Sequence, residues 1–248
     1  MVKYIVVCCA RDEGRTISGL ITRVLSQTIK PEAIIVVDDG STDETGTLLQ
    51  VFQQYIDQIK VITRKDRGYS ALGRKEMAEV YNEGFKVIQA YPWDYVLILG
   101  ADALLPPDYV ERVLEHMRTE DYAIAGGLPS GEIIGKNYCS GTGRMISRSI
   151  MQQLQFQFPV NYTWEMAPIV LARTLGLKVG HFKDVPFFQA RGHTRKCDYT
   201  GWGKGRKELG YGKVRLVGSC LKAILLGRNL RKGIGMAYGY FSYNPIEG

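Results

Sequence analysis

Short apolar runs alternate with amphipathic segments along the first half of the chain. The runs are rich in β-branched residues and bounded by turn residues, which is typical of buried strands. The segments between them repeat apolar residues every three or four positions, which is typical of helices that bury one face. The predicted strands are residues 3–9, 33–37, 59–63 and 95–99. The predicted helices are residues 16–30, 44–55, 71–90 and 106–117.

The alternation of strands and helices predicts βαβ units, a parallel sheet and right-handed crossovers. The second half is less regular, with strands expected at 122–127 and 177–182 and a glycine-rich loop at 131–143. Short helices are expected at 145–154 and 168–176. We therefore expect one domain over residues 1–190 and a basic, aromatic extension over residues 191–248.

Polar residues directly follow each of the four strands. They are Arg11, Asp12 and Glu13 after the first strand, Asp38 and Asp39 after the second, residues 64–68 after the third and Asp102 after the fourth. Because ligands of open α/β sheets bind at the carboxyl ends of the strands, we expect the functional site at this edge. Ser41 and Glu44 have the spacing of a capping box, so we expect them to cap the next helix.

Composition and charge add two expectations about partners and location. The 248 residues carry a net charge of +7, which favours an anionic partner such as phosphate, nucleic acid or a lipid surface. No nucleic-acid-binding motif accompanies the charge, so no nucleic-acid partner is expected. The five scattered cysteines, with no secretion signal and no apolar stretch of membrane-spanning length, favour a cytoplasmic protein with reduced thiols.

Several motifs of the first half together resemble those of family 2 glycosyltransferases, which have the GT-A fold. The motifs are residues 10–17, 26–31, 35–43 (with Asp38-Asp39-Gly40-Ser41), 65–68 followed by Arg74-Lys75, and 99–107. The resemblance implies an α/β fold of GT-A type. It consists of a Rossmann-like, mainly parallel sheet flanked by helices, here with a basic C-terminal helical appendage.

The resemblance also implies a nucleotide-sugar donor with UDP or GDP and a transfer that inverts the anomeric carbon. Asp39 is expected on the base or the ribose, where a carboxylate accepts hydrogen bonds, with Asp38 beside it. The other residues expected to bind the nucleotide are Ala10, Arg11, Glu13, Asp66, Arg74 and Ala101. The guanidinium of Arg74 suits a pyrophosphate, although a solvated position on a helix explains this arginine equally well.

The metal motif departs from the family pattern, which is aspartate, any residue, aspartate, often with a further aspartate. Gly100 and Ala103 replace the outer acids, so only Asp102 remains to hold Mg²⁺ or Mn²⁺. One carboxylate suffices when the diphosphate supplies further ligands. His193 is expected near the donor diphosphate and its metal. The alternative is a non-catalytic nucleotide-sugar-binding protein with a degenerate metal motif.

An inverting transfer to a hydroxyl needs a general base. The resemblance places that base at Glu165, ahead of the helix that is expected to begin at Pro168. A helix-capping role near the positive end of the dipole is the alternative for Glu165. A phosphate acceptor, as in polyprenyl-phosphate transfer, would need no strong base. The expected acceptor is lipid-linked or a polysaccharide, and the expected enzyme is of the hexosyltransferase type.

The segment 214–243 is apolar with interspersed lysines and arginines. A basic amphipathic helix of this kind lies in a membrane interface or packs on the catalytic domain, and the sequence leaves both open. The expected location is therefore cytoplasmic, with a peripheral position on the cytoplasmic membrane face as one possibility. A nucleotidylyltransferase is the third alternative, but it would need a glycine-rich basic loop after the first strand, which residues 10–13 do not provide.

Overall fold

The computed structural model describes residues 2–132, 134–190, 198–227 and 229–245. Its strands are β1 (Tyr4–Ala10), β2 (Ala33–Asp38), β3 (Ile59–Thr63), β4 (Tyr95–Gly100), β5 (Ala103–Leu104), β6 (Tyr122–Pro129), β7 (Arg144–Ser147) and β8 (Lys178–Gln189). Its α-helices are α1 (Ile17–Leu25), α2 (Thr45–Tyr55), α3 (Met77–Phe85), α4 (Tyr109–Glu120), α5 (Arg148–Gln153), α6 (Ala167–Thr174), α7 (Tyr199–Glu208), α8 (Lys213–Leu221) and α9 (Leu230–Ser242). A 3₁₀ turn spans Ile88–Ala90, and a π turn spans Lys222–Leu226.

One mixed sheet runs through these elements in the order β3-β2-β1-β4-β7-β6-β8-β5. Strands β1 to β4 are parallel to one another, which confirms the parallel sheet expected from the sequence. Strand β7 is antiparallel to β4 and to β6. Ala10 pairs with Asp38, Asp38 with Thr63 and Cys9 with Gly100. The loops after all four parallel strands therefore leave from one edge of the sheet.

The core lies against the parallel strands. Every residue of β2 is buried, as are the apolar faces of α1 and α4 that the sequence pattern indicated. The buried helix residues are Ile17, Leu20, Ile21 and Val24 in α1 and Tyr109, Val110, Val113, Leu114 and Met117 in α4. Burial of each such side chain contributes about 1.5–3 kcal/mol, so these faces anchor both helices on the sheet.

Several predicted elements have different boundaries in the structure, among them three of the predicted helices. The helix expected over residues 71–90 shortens to α3, because residues 71–76 form turns that include Gly73 at a φ of +83°. The helix expected over 145–154 begins only at Arg148, because the preceding residues pair as β7 with β4 and β6. The helix expected from Pro106-Pro107 begins at Tyr109.

The capping box predicted for α2 is wrong. The Ser41 hydroxyl donates to Asp38 Oδ1 at 2.6 Å and accepts from the Asp12 N–H at 3.0 Å. It therefore tethers loops rather than a helix end. The N-cap residue of α2 is Glu44, which makes no side-chain cap hydrogen bond. The Thr45 N–H at the start of the helix donates instead to Asp43 Oδ1 at 3.0 Å.

The chain groups into two compact units. The first comprises Met1–Tyr69, Val80–Phe158 and Pro168–Gly192, and the second comprises Ser70–Glu79, Pro159–Ala167 and His193–Gly248. The first unit contains the sheet. Two segments from earlier in the chain thus group with the C-terminal helices, while the domain boundary at residue 190 stays a prediction.

The second unit is built around closely packed α7 and α9. A Cβ atom on Gly203 of α7 would overlap the Met236 carbonyl oxygen of α9. Glycine permits this approach because it carries no side chain. Among the helices of the described residues, none combines the length and the hydropathy that crossing a bilayer requires.

Candidate functional site

A buried carboxylate, Asp39, stands where β2 ends. Its backbone N–H donates to the Ala10 carbonyl oxygen at 2.9 Å, which extends the β1–β2 pairing by one residue. Arg67 Nη2 donates to Asp39 Oδ1 at 2.8 Å, and Arg64 Nη1 lies 3.5 Å from the same oxygen. Burial raises the pKa of the Asp39 carboxyl, and the Arg67 hydrogen bond and the neighbouring positive charges oppose that rise.

Arg11 links the loop after β1 to the loops after β2 and β3. Its Nη1 donates to the Asp39 carbonyl oxygen at 2.5 Å, and its Nη2 donates to Asp66 Oδ1 at 2.6 Å. The hydrogen bonds from Arg11 and from the Gly68 N–H lower the pKa of Asp66. Arg11, Asp39 and Asp66, which the sequence analysis assigned to one site, are therefore in contact.

Gly40 allows the loops after β2 and β3 to touch. Its φ of +70° is one that residues with side chains rarely adopt, and an added Cβ would overlap Asp66 Cα and lie 2.5 Å from Asp66 N. The backbone of Asp66 can lie here only because residue 40 is a glycine, and the hydrogen bond from Arg11 to Asp66 therefore depends on that glycine.

Asp38 and Glu13 hold the neighbouring loops together. Asp38 Oδ1 accepts from the Ser41 N–H at 2.9 Å as well as from the Ser41 hydroxyl. Glu13 Oε2 accepts from the Thr16 hydroxyl at 2.6 Å, and the Glu13 N–H donates to Thr45 Oγ1 at 2.7 Å. Both carboxylates thus have structural partners, and contact of either one with a nucleotide stays a prediction.

Arg64 and Arg67 are candidate site residues to which the sequence analysis gave no individual role, although it placed residues 64–68 at the functional edge of the sheet. The sequence did carry a signal for them, since two arginines follow β3 within five residues. The register that pairs Thr63 with Asp38 brings the residue after β3 beside the residue after β2. The direction of the two guanidinium groups toward Asp39 depends on loop geometry, which residue spacing does not specify.

Asp102 lies just beyond β4, where the metal ligand was expected. Its carbonyl oxygen accepts from the Ala190 N–H at 2.8 Å, and the preceding Ala101 is buried. The Gly100 N–H donates to Thr142 Oγ1 at 2.8 Å. A Cβ on Gly100 would lie 3.1 Å from Asp102 Oδ1. A side chain at residue 100, where the family pattern has an aspartate, would therefore begin beside the Asp102 carboxylate.

The single Asp102 carboxylate suits a metal ion that takes its other ligands from water and from the phosphates of a substrate. In the part of the chain that the structure describes, no three His, Cys, Asp or Glu side chains group as metal ligands. A single carboxylate fits Mg²⁺, which keeps several waters and takes further oxygens from substrate phosphates. His193 lies outside the described residues, and its role stays a prediction.

Arg74 and Glu165 belong to the second unit. Arg74 Nη1 lies 3.7 Å from Asp198 Oδ2, and the other Asp198 oxygen accepts from the Thr200 N–H at 3.0 Å at the start of α7. Glu165 is half-buried in the turn before α6. Their roles toward a diphosphate and an acceptor stay predictions.

The carboxylate and guanidinium groups at the sheet edge of the first unit can bind a negatively charged organic molecule whose ring carries hydrogen-bond donors and acceptors. The carboxylate oxygens of Asp39 accept hydrogen bonds, and the guanidinium groups of Arg11, Arg64 and Arg67 donate them. Their positive charge attracts phosphate, and partial burial strengthens each interaction relative to water.

Comparison with known proteins identifies the sequence pattern. Residues 5–167 match the family model described as "Glycosyl transferase family 2". Glycosyltransferase GlyG of Streptococcus pneumoniae serotype 4 is 22% identical over 184 residues, which cover 73% of this chain and 58% of that protein. The chain spans less than two thirds of the length of this curated relative.

Two solved structures share the fold at low sequence identity. The mannosyltransferase PcManGT from Pyrobaculum calidifontis, in complex with GDP-Man and Mn²⁺, matches with a TM-score of 0.68 and 14% identity. That match covers 98% of this chain and 76% of the mannosyltransferase. S. aureus TarS 1–349 in complex with UDP-GlcNAc matches with a TM-score of 0.62 and 12% identity, covering 100% of this chain and 75% of TarS 1–349. The GT-A architecture expected from the motifs is thus confirmed.

Proposed function

The chain belongs to glycosyl transferase family 2, and from this premise we propose that it is an inverting hexosyltransferase. It moves a sugar from a UDP or GDP donor to a lipid-linked or polysaccharide acceptor on the cytoplasmic side of a membrane. The observation that carries the proposal is the Asp39 carboxylate, which is buried at the sheet edge with Arg67 at 2.8 Å. This pair places a hydrogen-bond acceptor beside a donor.

That pairing favours uracil and guanine over cytosine and adenine. Uracil presents a ring N–H beside a carbonyl, and guanine does the same at its Watson–Crick edge. The N–H suits Asp39, and the carbonyl suits a guanidinium such as Arg67. Cytosine and adenine present an unprotonated ring nitrogen beside an amino group, which would face the carboxylate and the guanidinium with the wrong polarity. The GDP-Man and UDP-GlcNAc complexes of the structural neighbours agree with this choice.

The donor diphosphate is assigned to Asp102, with Arg74 and His193 as cationic partners. Asp102 would hold Mg²⁺ or Mn²⁺, which when bound neutralises charge on the leaving diphosphate. Support comes from the position of Asp102 after β4 and from the Mn²⁺ in the mannosyltransferase complex.

The transfer itself forms a bond between an acceptor oxygen and the anomeric carbon. The bond from that carbon to the diphosphate oxygen breaks, and the nucleoside diphosphate leaves with the electron pair. Glu165 accepts the proton when the acceptor is a hydroxyl. A phosphate acceptor is already ionised, so Glu165→Gln would then keep most of the activity.

A second function, nucleotide-sugar binding without transfer, is favoured by one observation. Gly100 and Ala103 stand where the family pattern has acids, which leaves a single carboxylate at the metal position. This alternative predicts nucleotide binding but no turnover with any acceptor and no hydrolysis of a donor sugar.

Calorimetric titration tests the proposal. UDP, GDP, CDP and ADP are titrated, each with Mn²⁺ and with EDTA, into the wild-type protein and the Asp102→Ala variant. We expect UDP or GDP to bind at least about tenfold more tightly than CDP and ADP. We also expect Mn²⁺ to strengthen binding in the wild type only.

The preferred donor class is then screened for sugar release and transfer. Turnover supports the transferase, whereas selective binding without turnover supports the second function. Absence of binding to all four nucleotides would contradict both.

A further inference from the structure

Large apolar side chains are exposed on α8, on the π turn that follows it and on α9. They include Val214 at 89% exposure, Leu226 at 77% and Tyr238 at 67%. The complete outward set is Val214, Val217, Leu221, Leu225, Leu226, Leu230, Ile234, Tyr238 and Phe241. We call these nine residues the outward apolar face.

The face follows the helical repeat on each helix. In α8 the exposed residues 214, 217 and 221 recur at intervals of three and four, and in α9 residues 230, 234, 238 and 241 do the same. Leu216 of α8 and Met236 and Tyr240 of α9, which lie between the exposed positions, are buried. A helix of a water-soluble protein presents polar residues outward, so this face is of the kind that marks an interaction surface.

The charged residues of the segment that carries the face are of one sign. Residues 209–245 contain no aspartate or glutamate, but they contain Lys213, Arg215, Lys222, Arg228, Arg231 and Lys232. Of these, Lys213, Arg215, Lys222 and Arg231 are exposed. The Arg215 guanidinium lies 4.0 Å from the centre of the Tyr211 ring, so one of the charges is held by an aromatic neighbour.

We propose that the outward apolar face docks on the surface of an anionic lipid bilayer, with α8 and α9 lying in the interface rather than crossing it. Apolar side chains enter the acyl boundary, and the exposed lysines and arginines contact lipid phosphates. Tyr238, whose ring carries a hydroxyl group, suits the headgroup level. The inference goes beyond the glycosyl transfer proposed above and does not depend on it.

A second copy of the chain is a poorer occupant of the same face. Two copies would bring the same positive residues together with no carboxylate from this segment to pair with them. Each unpaired like-charge contact weakens association. An anionic bilayer offers an apolar interior for the exposed apolar side chains and negative charge for the lysines and arginines beside them.

Vesicle flotation of the full chain tests the proposal. The vesicles are pure phosphatidylcholine or phosphatidylcholine with phosphatidylglycerol, at low and at high salt. We expect the protein to float with the anionic vesicles, more weakly at high salt and weakly with phosphatidylcholine alone. Absence of flotation with the anionic vesicles would overturn the proposal.

Two pairs of variants assign the binding to the face. Leu225→Ser with Leu226→Ser should weaken vesicle binding at least about tenfold, because two large apolar groups leave the interface. The matched control, Val51→Ser with Tyr55→Ser on α2, removes exposed apolar groups from the first unit and should leave binding unchanged.

Lys222→Gln and Arg231→Gln should each weaken binding about fivefold at low salt. The control for these is Lys60→Gln with Lys183→Gln, at exposed lysines of the first unit. Equal binding by the face variants and their controls would overturn the assignment.

Light scattering in vesicle-free buffer separates the remaining outcomes. A concentration-dependent dimer that Leu225→Ser with Leu226→Ser abolishes, without vesicle binding by the wild type, would overturn the proposal in favour of a contact between copies. Nucleotide titration of the same variants should give wild-type values. A variant that loses vesicle binding but keeps nucleotide binding would therefore show that the outward apolar face binds the membrane. Failure of the proposed function would appear only in the nucleotide titration.

Discussion

Asp39 and Arg67 form the contact on which nucleotide selection is proposed to depend. Asp39→Asn keeps the shape of the side chain and removes its charge, so UDP or GDP should bind about tenfold more weakly. Arg67→Met removes the donor beside the carboxylate and should also reduce the preference over CDP. Calorimetry with the four nucleotides measures both effects. Tighter binding of UDP by Arg67→Met would contradict the assignment, since it would mean that Arg67 competes with the base for Asp39.

Gly100 offers a direct test of the reduced metal motif. Gly100→Asp would place a second carboxylate beside Asp102, because a Cβ at residue 100 lies 3.1 Å from Asp102 Oδ1. In the presence of UDP or GDP, Mn²⁺ should then bind roughly tenfold more tightly. Gly100→Ala is the control, since it adds the same Cβ without a carboxylate. Equal Mn²⁺ affinity in the two variants would show that residue 100 does not face the ion.

At the scale of elements, the packing of α7 on α9 requires a glycine at residue 203. Gly203→Ala should destabilise the protein by about 1–3 kcal/mol or more, because the added Cβ would overlap the Met236 carbonyl oxygen. Gly218→Ala in α8 is the matched control, since no atom lies within 4 Å of its added Cβ. It should be stabilising by about 0.5–1 kcal/mol. Urea unfolding of both variants measures the difference, and equal midpoints would contradict the close packing.

Predictability from sequence also differs among elements. The bounds of β3 were predicted without error, because its apolar run is short and ends in charged residues. The segment at β7 was predicted as the start of a helix, since its partners lie about 50 residues away in β4 and about 20 residues away in β6, beyond any local pattern. For the site, Asp39, Arg11 and Asp66 followed from motifs. Arg64 and Arg67 did not, because their side-chain directions depend on contacts between loops.

For the whole molecule, three carboxyl groups predict loss of stability in acid. The pKa values of Asp43, Asp66 and Asp184 are lowered in the folded chain, that of Asp184 by the hydrogen bond from His116 of α4. Their ionised forms therefore favour the folded state at pH values above the ordinary value of 3.8. This contribution is lost as the pH falls through the lowered values.

Asp184→Asn tests that expectation. Asp184 is largely exposed, so the substitution should cost at most about 1 kcal/mol near neutral pH. The cost should shrink toward zero in strong acid, once the pH has fallen through the lowered pKa of Asp184 and the wild-type carboxyl is protonated as well. Urea unfolding at both pH values provides the measurement, with exposed Asp57→Asn as the control. A cost that grows on acidification would contradict the lowered pKa.

The tether that Arg11 makes to the loops after β2 and β3 has a consequence for protein engineering. The sheet beneath these loops is packed with apolar side chains. If the loops bind the nucleotide as proposed, we expect ligand preference and core stability to depend on largely separate residues. We therefore expect that residues 64–68 can be replaced together by another loop sequence to change which nucleotide base the protein prefers. The exchange should succeed only when the incoming segment keeps an acidic residue at position 66 and leaves room for its backbone against Gly40.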